Sequence, residues 1–480
     1  MVQLAQLSEV EMNVHLVLDD KPTRTDQKLK TLSNYVQQYP SGWKKRLKLA
    51  DLLYQMGRWP EAVEEYRQVL GREPCLIEVR LQMGKILHLT GKDTEAIAVY
   101  EEASSLCHNA ATKHHLEGLI ELYRDRPLEA VKRFESAASI EPSNPAHWHA
   151  LGQVYQQTES PVATLRAFDV ALSLNPNDVV ALSKSYQPLL AVGEIKKARQ
   201  RLEQALKLSP NDCRTLQQLA THRCQQGLVA GEEGKQTKQL IKTALALAPD
   251  SATAHQVLSL YHLGRGEWDK AVAVLLKFTE EHPKSPIGWY HYARCLFQTG
   301  NSHTAADAIL KAYNLYQKDC EIYRALCEIL PTAGRLEEFR INSVFARTEQ
   351  EHQPVNKTTT PPTSLIEEML DRFPQRWSVW VTAGRVLVEH YQDIEGGCRV
   401  SELAVQLQPN LADAWFLHGR VLALAGRHRE ATDALERGWQ SQPKGYLQLV
   451  SAAVWLGESY RVLGDEPKSR KCWEQACERA

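Results

Sequence analysis

The sequence predicts an all-α protein built from a helical hairpin that recurs about every 34 residues. The best copy of this unit runs from Trp148 to Pro176. It places small and large apolar residues at helical spacing, in the order Trp148, Leu151, Gly152, Tyr155, Ala163, Phe168, Ala171 and Pro176. The same spacing returns in phase along most of the chain, which one chance match would not do.

The order of residues within the unit has a physical cause. Two antiparallel helices of about a dozen residues each cannot bury their apolar faces alone, so every pair stacks on the next pair. A small residue such as Gly152 lets the helices approach closely, and Trp148 and Phe168 fill the seam. Pro176 ends the second helix because proline has no backbone N–H.

The pattern resembles the tetratricopeptide repeat (TPR), and its many copies resemble the multi-repeat arrays of bacterial proteins. The resemblance implies a right-handed superhelical α-solenoid of helix–turn–helix units, about 11–12 in number. Units begin near residues 43, 77, 111, 145, 179, 213, 252 and 286, a degenerate unit begins near 320, and further units follow near 376, near 412 and at the end of the chain.

Changes in this pattern predict the domain organisation. We expect an N-terminal segment with a capping helix (1–42), a first array (43–351), a Pro/Thr-rich linker (352–364) and a second array (365–480). The linker has almost no apolar side chain, which is typical of a connecting segment. The last unit ends at Ala480 without a polar helix after it, so we expect a partner or further chain to cover its seam.

One unit, between residues 213 and 251, is longer than the others. Its extra residues include three glycines between Gly227 and Gly234, which predicts a loop between the two helices. The loop is either a tolerated insertion or a recognition loop, since connecting segments often carry function.

Composition limits the function classes. The 480 residues include 57 Lys and Arg and 58 Asp and Glu, for a net charge of −1, so no overall charge favours nucleic acid or an anionic membrane. No apolar run approaches the length of a membrane span. The start of the chain has acidic residues where a signal peptide would be basic, and we therefore expect a cytoplasmic protein. The ten cysteines form no Cys-x2-Cys pair and fit small buried residues in a reducing compartment.

The sequence contains no catalytic motif in its required context. There is no phosphate-binding loop, and Gly264-Arg265-Gly266 lacks both the third glycine and a preceding strand. His114 and His115 are adjacent, hence about 100° apart on a helix, which is poor geometry for joint metal binding. We therefore expect no enzymatic activity, no cofactor and no metal.

The family resemblance implies that positions 2, 5, 9, 12 and 13 of each first helix face the concave groove, because they share one helical face. No unit has asparagine at position 9, so the carboxylate clamp of some family members is not expected here. The middle groove is rich in amides, with His149, Gln153, Gln156, Gln157, Gln187, Gln217 and Gln225. The distal groove carries Tyr290, Arg294, Arg324, Arg385, Phe416, Arg420 and Arg461.

Arginine and aromatic side chains dominate many protein interfaces, and guanidinium groups pair well with carboxylates. One interpretation is that the distal groove binds an acidic or extended peptide segment. The other is that its arginines pair with Glu328, Glu389 and Glu458 in an ordinary solvated face.

The leading functional hypothesis is therefore a protein-interaction scaffold without catalysis of its own. A second is the regulatory or sensor part of a larger assembly, with an effector such as a caspase-like protease. A third is RNA binding, which the balanced charge disfavours because a phosphate groove should be basic over several units. The partner and the oligomeric state stay open.

Overall fold

The computed structural model describes residues 22–55, 58–90, 92–335, 365–441 and 449–479. Within these residues all regular secondary structure is helical, which confirms the all-α prediction. The helices of the N-terminal half are α1 (Pro22–Gln38), α2 (Trp43–Gln55), α3 (Trp59–Leu70), α4 (Ile77–Leu89), α5 (Asp93–Leu106), α6 (Ala110–Tyr123), α7 (Pro127–Ile140), α8 (Pro145–Gln157), α9 (Pro161–Leu174), α10 (Val179–Lys184), α11 (Tyr186–Ala191), α12 (Ile195–Leu208), α13 (Cys213–Gln225) and α14 (Gly231–Leu247).

The chain continues in the same manner. The remaining described helices are α15 (Ala252–Gly264), α16 (Trp268–Glu281), α17 (Pro286–Gln298), α18 (Ser302–Leu315), α19 (Cys320–Thr332), α20 (Leu365–Arg372), α21 (Trp377–Tyr391), α22 (Ile394–Leu407), α23 (Ala412–Leu424), α24 (His428–Gln440), α25 (Leu449–Val462) and α26 (Glu466–Arg479). Each helix packs mainly on the helices next to it in the chain, as expected for a solenoid.

Close approach of the two helices in several hairpins depends on a glycine opposite an aromatic ring. A Cβ atom added at Gly152 would lie 2.5 Å from the Phe168 ring, so only glycine fits at this point without a shift. The same contact recurs between Gly84 and Tyr100, between Gly118 and Phe134 and between Gly457 and Trp473.

A second recurring contact joins one hairpin to the next. The indole Nε1 of Trp148 donates a hydrogen bond of 2.8 Å to the carbonyl oxygen of Pro142, which lies two residues beyond the end of α7. Trp289, Trp380 and Trp415 repeat this bond to Pro283, Pro374 and Pro409 at 2.8 to 2.9 Å. The tryptophan therefore supplies a hydrogen-bond donor to the carbonyl of the proline that follows the preceding helix.

In the described part of the chain, the turns inside the hairpins contain a residue in the left-handed backbone region, which glycine tolerates best. Glycine takes this position in most of the described turns, at Gly193, Gly227, Gly266, Gly300, Gly334, Gly426 and Gly464. Asp125, Glu159 and Gln392 take it in three others, with φ of 60°, 52° and 56°.

The first helix of the unit near 179 is broken in two at Ser185. Pro188 has no N–H to donate to the carbonyl of Lys184, which removes one helical hydrogen bond. The side-chain amide of Gln156, from the preceding unit, donates to that carbonyl instead at 2.9 Å. A side chain of the neighbouring unit thus replaces the lost helical hydrogen bond.

The prediction of a loop from Gly227 to Gly234 is wrong at its second half, because α14 begins at Gly231. The remaining loop is held closely: Val229 is buried, and Arg265 Nη1 donates to its carbonyl oxygen at 3.1 Å. A Cβ at Gly234 would meet the backbone of Val229 at 2.5 Å. The extra residues therefore lengthen a helix and fill the seam instead of projecting as a recognition loop.

The predicted linker at 352–364 lies outside the described residues, and so does the rest of 336–364. One apolar cluster nevertheless joins the two sides of this segment, since it contains Leu326, Leu365 and Val379. Tyr323 of α19 also donates a 2.7 Å hydrogen bond to Glu368 of α20. The division into two arrays stays a prediction, but the packing of the described helices is continuous across it.

We expect Gly152→Ala to lower the free energy of unfolding by about 1 to 3 kcal/mol, because the new Cβ overlaps the buried Phe168 ring. The gain in helix propensity, about 1 kcal/mol, does not offset this overlap. Urea unfolding followed by circular dichroism measures the change.

Gly71→Ala is the matched control, since Gly71 has helical backbone angles and a Cβ there meets its nearest atoms at 3.6 Å. Equal stability of the two variants would contradict the role of the Gly152–Phe168 contact.

Candidate partner-binding groove

The distal arginines lie on first helices that stand side by side, so their side chains meet across successive units. Glu328 of α19 accepts from Arg294 of α17 at 2.7 Å and from Arg385 of α21 at 2.6 Å. Arg385 also donates to Glu389 at 2.9 Å, and Arg420 of α23 reaches Glu389 at 3.8 Å. We call Arg294, Glu328, Arg385, Glu389 and Arg420 the charge ladder.

The charge ladder is partly exposed, with side-chain exposures of 20 to 36%. Its two carboxylates neutralise most of the positive charge that the sequence pattern assigned to this surface. The structure thus brings together the pairs that the second interpretation anticipated at Glu328 and Glu389. Arg461 forms a separate pair with Glu458 at 2.5 Å, within one exposed turn of α25.

Arg324 and Tyr290 lie in the same groove and are partly buried. Arg324 donates to Glu321 at 3.0 Å and to Thr382 of α21 at 3.1 Å, so it joins two first helices. The pKa of the Glu321 carboxyl is held below its usual value. Burial by itself would raise this pKa, but the positive charges of Arg324 and Arg376 outweigh the effect of burial. Burial, followed by Glu321, raises the pKa of Tyr290 and keeps its phenol neutral.

Phe416 does not face the groove, and its assignment as a binding residue is wrong. Its side chain is only 2% exposed. Gly438 of α24 leaves room for the ring, because a Cβ there would meet Phe416 at 2.6 Å. Trp439 packs against it edge to face, with ring centroids 5.7 Å apart. The ring therefore belongs to the seam between α23 and α24.

In the middle groove, several of the predicted polar residues have structural partners. His149 Nε2 lies 2.5 Å from Asp178, the residue that caps α10. Gln156 repairs the broken helix described above, and Gln217 is buried and bonded to Ser251 at 3.1 Å. Gln153 and Gln157 are partly exposed on α8 and stay candidates for binding.

The sequence pattern did not single out Asp413, the second residue of α23. Its Oδ1 atom is buried and has no hydrogen-bond partner among the described residues. Burial raises the pKa of this carboxyl to about 7. Asp413 is at position 2 of its unit, one of the groove positions that the resemblance implies. A comparison of position 2 across all units would therefore have identified Asp413 as a candidate.

Arg420 lies two turns further along the same helix as Asp413. Its Nε atom also lacks a hydrogen-bond partner among the described residues, and its guanidinium lies 5.5 Å from the centroid of the Trp455 ring. Burial, followed by Arg385, lowers its pKa. The groove face of α23 therefore carries one acid and one base that their surroundings satisfy poorly.

Among the described residues, His, Cys, Asp and Glu form no group of three or more that could hold a metal ion. None of the helices that the structure describes is long and apolar enough to cross a membrane.

The fold and the groove define a helical-repeat protein, and comparison of its sequence with known protein families identifies the repeat. Residues 47–106 and 257–319 match the model of the tetratricopeptide repeat. The chain therefore contains tetratricopeptide repeats, which confirms the resemblance predicted from the sequence pattern. No curated protein matches the sequence.

Several solved structures are similar to this chain. A tetratricopeptide repeat protein from Parabacteroides merdae is 17% identical, with coverage of 55% of this chain and 99% of that one and a TM-score of 0.37. The APC/C hetero-tetramer Cut9–Hcn1 is 13% identical, with coverage of 100% and 96% and a TM-score of 0.39. Yeast Tom70 is 15% identical, with coverage of 84% and 92% and a TM-score of 0.40.

Glu328→Gln should lower the free energy of unfolding by about 1 kcal/mol at low salt, because it weakens the pairing of Arg294 and Arg385 together. The loss should shrink as ionic strength rises. Glu402→Gln, at an exposed position of α22, is the matched control. Urea unfolding at two salt concentrations tests the charge ladder, and equal losses in both variants would count against it.

Asp413→Asn should stabilise the protein more at pH 8 than at pH 5. The folded pKa of Asp413, about 7, lies above its ordinary value of 3.8, so the folded state binds more protons between these values. Ionisation of this group therefore lowers wild-type stability as pH rises from about 4 to about 7, whereas asparagine does not titrate.

We expect the difference in unfolding free energy between variant and wild type to grow by roughly 2 kcal/mol from pH 5 to pH 8. Urea unfolding at both pH values measures it, with Asp433→Asn at an exposed site of α24 as the control. A difference that does not change with pH would show that Asp413 is well solvated.

Proposed function

We propose that this protein is a non-catalytic interaction scaffold whose distal groove binds an extended segment of a partner protein. Tetratricopeptide repeat proteins generally bind protein partners, which supports the class of function. The observation that carries the proposal is the groove face of α23, where Asp413 and Arg420 each have a buried polar atom without a hydrogen-bond partner among the described residues.

Unsatisfied buried polar atoms cost free energy, and a bound partner that supplies the missing hydrogen bonds recovers it. A lysine or arginine of the partner would pair with Asp413 and restore its ionised form. A carboxylate or a backbone carbonyl would accept from Arg420, and the adjacent Trp455 offers an apolar surface. Residues seven apart on a helix are separated by about 10 Å along its axis, which suits an extended peptide of a few residues.

The charge ladder favours a segment of mixed charge over a purely acidic one. A partner carboxylate at Arg294 or Arg385 would have to displace Glu328, whose contacts to them are 2.6 and 2.7 Å. Arg420 is different because its carboxylate partner, Glu389, is 3.8 Å away. Arg420 is therefore where an acidic group of the segment would bind.

The same pairing weighs against RNA as the ligand. Phosphate binding gains affinity by neutralising free cationic side chains, and the ladder arginines already have carboxylate partners. The role as a regulatory subunit and the cytoplasmic location stay predictions from the sequence.

The proposal is tested by removing both charges from the groove face of α23. Affinity purification of the tagged full-length protein from its native host, with cross-linking and mass spectrometry, identifies partners and the residues that they touch. We expect the double variant Asp413→Asn/Arg420→Gln to retain at least tenfold less of a groove-bound partner, a loss that corresponds to about 1.4 kcal/mol.

The matched control is Arg399→Gln/Asp433→Asn, which removes one acid and one base from exposed positions of α22 and α24. This control should retain the partner as wild type does. Equal retention by all three proteins, or cross-links that avoid α19, α21 and α23, would overturn the proposal.

A further inference from the structure

Glu159 departs from the rule that governs the hairpin turns. It occupies the left-handed position, with φ of 52°, where most of the described turns have glycine. A long side chain on Cβ disfavours this conformation. Nothing within the local turn requires glutamate, so the reason for it must lie elsewhere in the structure.

The start of α21 departs from a second rule. Most first helices begin after a residue whose side chain accepts a backbone N–H, and these caps are Asn109, Asn144, Asp178, Asp212, Ser251, Ser285 and Asp319. The cap of α21 is Arg376, whose side chain makes no such bond. Arginine can only donate, and its charge is unfavourable at the positive end of a helix dipole. Leu76 and Leu411 also fail to cap their helices.

One contact accounts for both departures. Glu159 Oε2 accepts the backbone N–H of Ser378 at 3.1 Å, and Oε1 accepts the Ser378 hydroxyl at 2.6 Å. Arg376 lies 3.9 Å from the same carboxylate. The carboxylate therefore caps α21 from a turn more than two hundred residues earlier in the chain and pairs with the arginine that cannot cap it.

The surroundings of this contact support it. The side chains of Glu159 and Arg376 are 15% and 12% exposed, so water reaches them poorly. The next residue, Ser160, accepts a hydrogen bond from Gln408 at 3.0 Å.

We propose that Glu159 and Ser160, with Arg376, Ser378 and Gln408, form a clasp that closes the solenoid on itself and can open without unfolding either side. Each side of the clasp belongs to its own apolar cluster, around Phe168 on one side and Val379 on the other. The clasp contacts themselves are polar, whereas neighbouring repeats are joined by apolar packing. Release of the clasp therefore costs hydrogen bonds and an ion pair but no core.

The clasp also bears on the groove, and this step rests on the function proposed above. The helix that it caps, α21, carries Arg385 of the charge ladder and Thr382, which accepts from Arg324. Because Glu159 fixes the first turn of that helix, the clasp holds a central wall of the groove in place. Its opening would widen access for the partner segment.

Glu159→Gly tests the clasp with little risk of misfolding, because it installs the residue found at the same position in most of the other turns. We expect normal helical content, a larger radius of gyration by small-angle X-ray scattering, and hydrogen exchange at the Ser378 amide that is about tenfold faster or more. Glu159→Gln keeps the size and one acceptor, and should fall between wild type and glycine.

Asp125→Gly is the matched control, since Asp125 has the same turn position one repeat earlier. It should leave exchange at Ser378 unchanged. Unchanged exchange and unchanged scattering in Glu159→Gly, or an equal effect of Asp125→Gly, would overturn the clasp.

These measurements need no partner, so their failure is separate from failure of the proposed function. If exchange at Ser378 rises in Glu159→Gly but the Asp413/Arg420 variant still retains its partner, the clasp stands and the groove assignment falls. If the partner is lost from that variant while Glu159→Gly changes nothing, the groove stands and the clasp falls.

Discussion

The contact of a glycine with an aromatic ring inside several of the hairpins is the constraint on which the rest of the structure depends. Gly152 and Phe168 show it best, because no other residue fits at 152 without moving a buried ring. This contact sets the distance between the two helices of a unit. The Trp–Pro hydrogen bond, as between Trp148 and Pro142, then sets how one unit sits on the next. Repetition of these two contacts produces the solenoid.

Regular stacking has an electrostatic consequence. Side chains at one position of successive first helices come within bonding distance, so the order of charges along that position decides the character of the groove. In the distal units the order is Arg294, Glu328, Arg385 and Arg420, which yields pairing at the first three and an incomplete pairing at the last. The poorly satisfied groups of α23 therefore stand out against a neutralised background, which is why they are the best candidates for contact with a partner.

Departures from the repeat are informative because the repeat is otherwise so regular. Pro188 breaks a first helix, and Gln156 of the neighbouring unit supplies the missing donor. Glu159 occupies a turn position where most units have glycine, and its hydrogen bond with Ser378 accounts for the glutamate there. In both cases a residue that is unfavourable in its own unit is compensated by a partner in another, so a departure read alone would have suggested strain.

The helical class, the seam residues and most unit boundaries follow from spacing along the chain, because a hairpin is a local structure whose apolar period is visible in the residues that form it. The direction of individual groove side chains does not follow from spacing: Phe416 turns inward because Gly438 leaves a space beside it, and Gln217 is buried against Ser251. The contact of Glu159 with Ser378 is even harder to predict from the sequence. Its existence depends on the small rotations between many successive units, which add up over the array and which no single unit encodes.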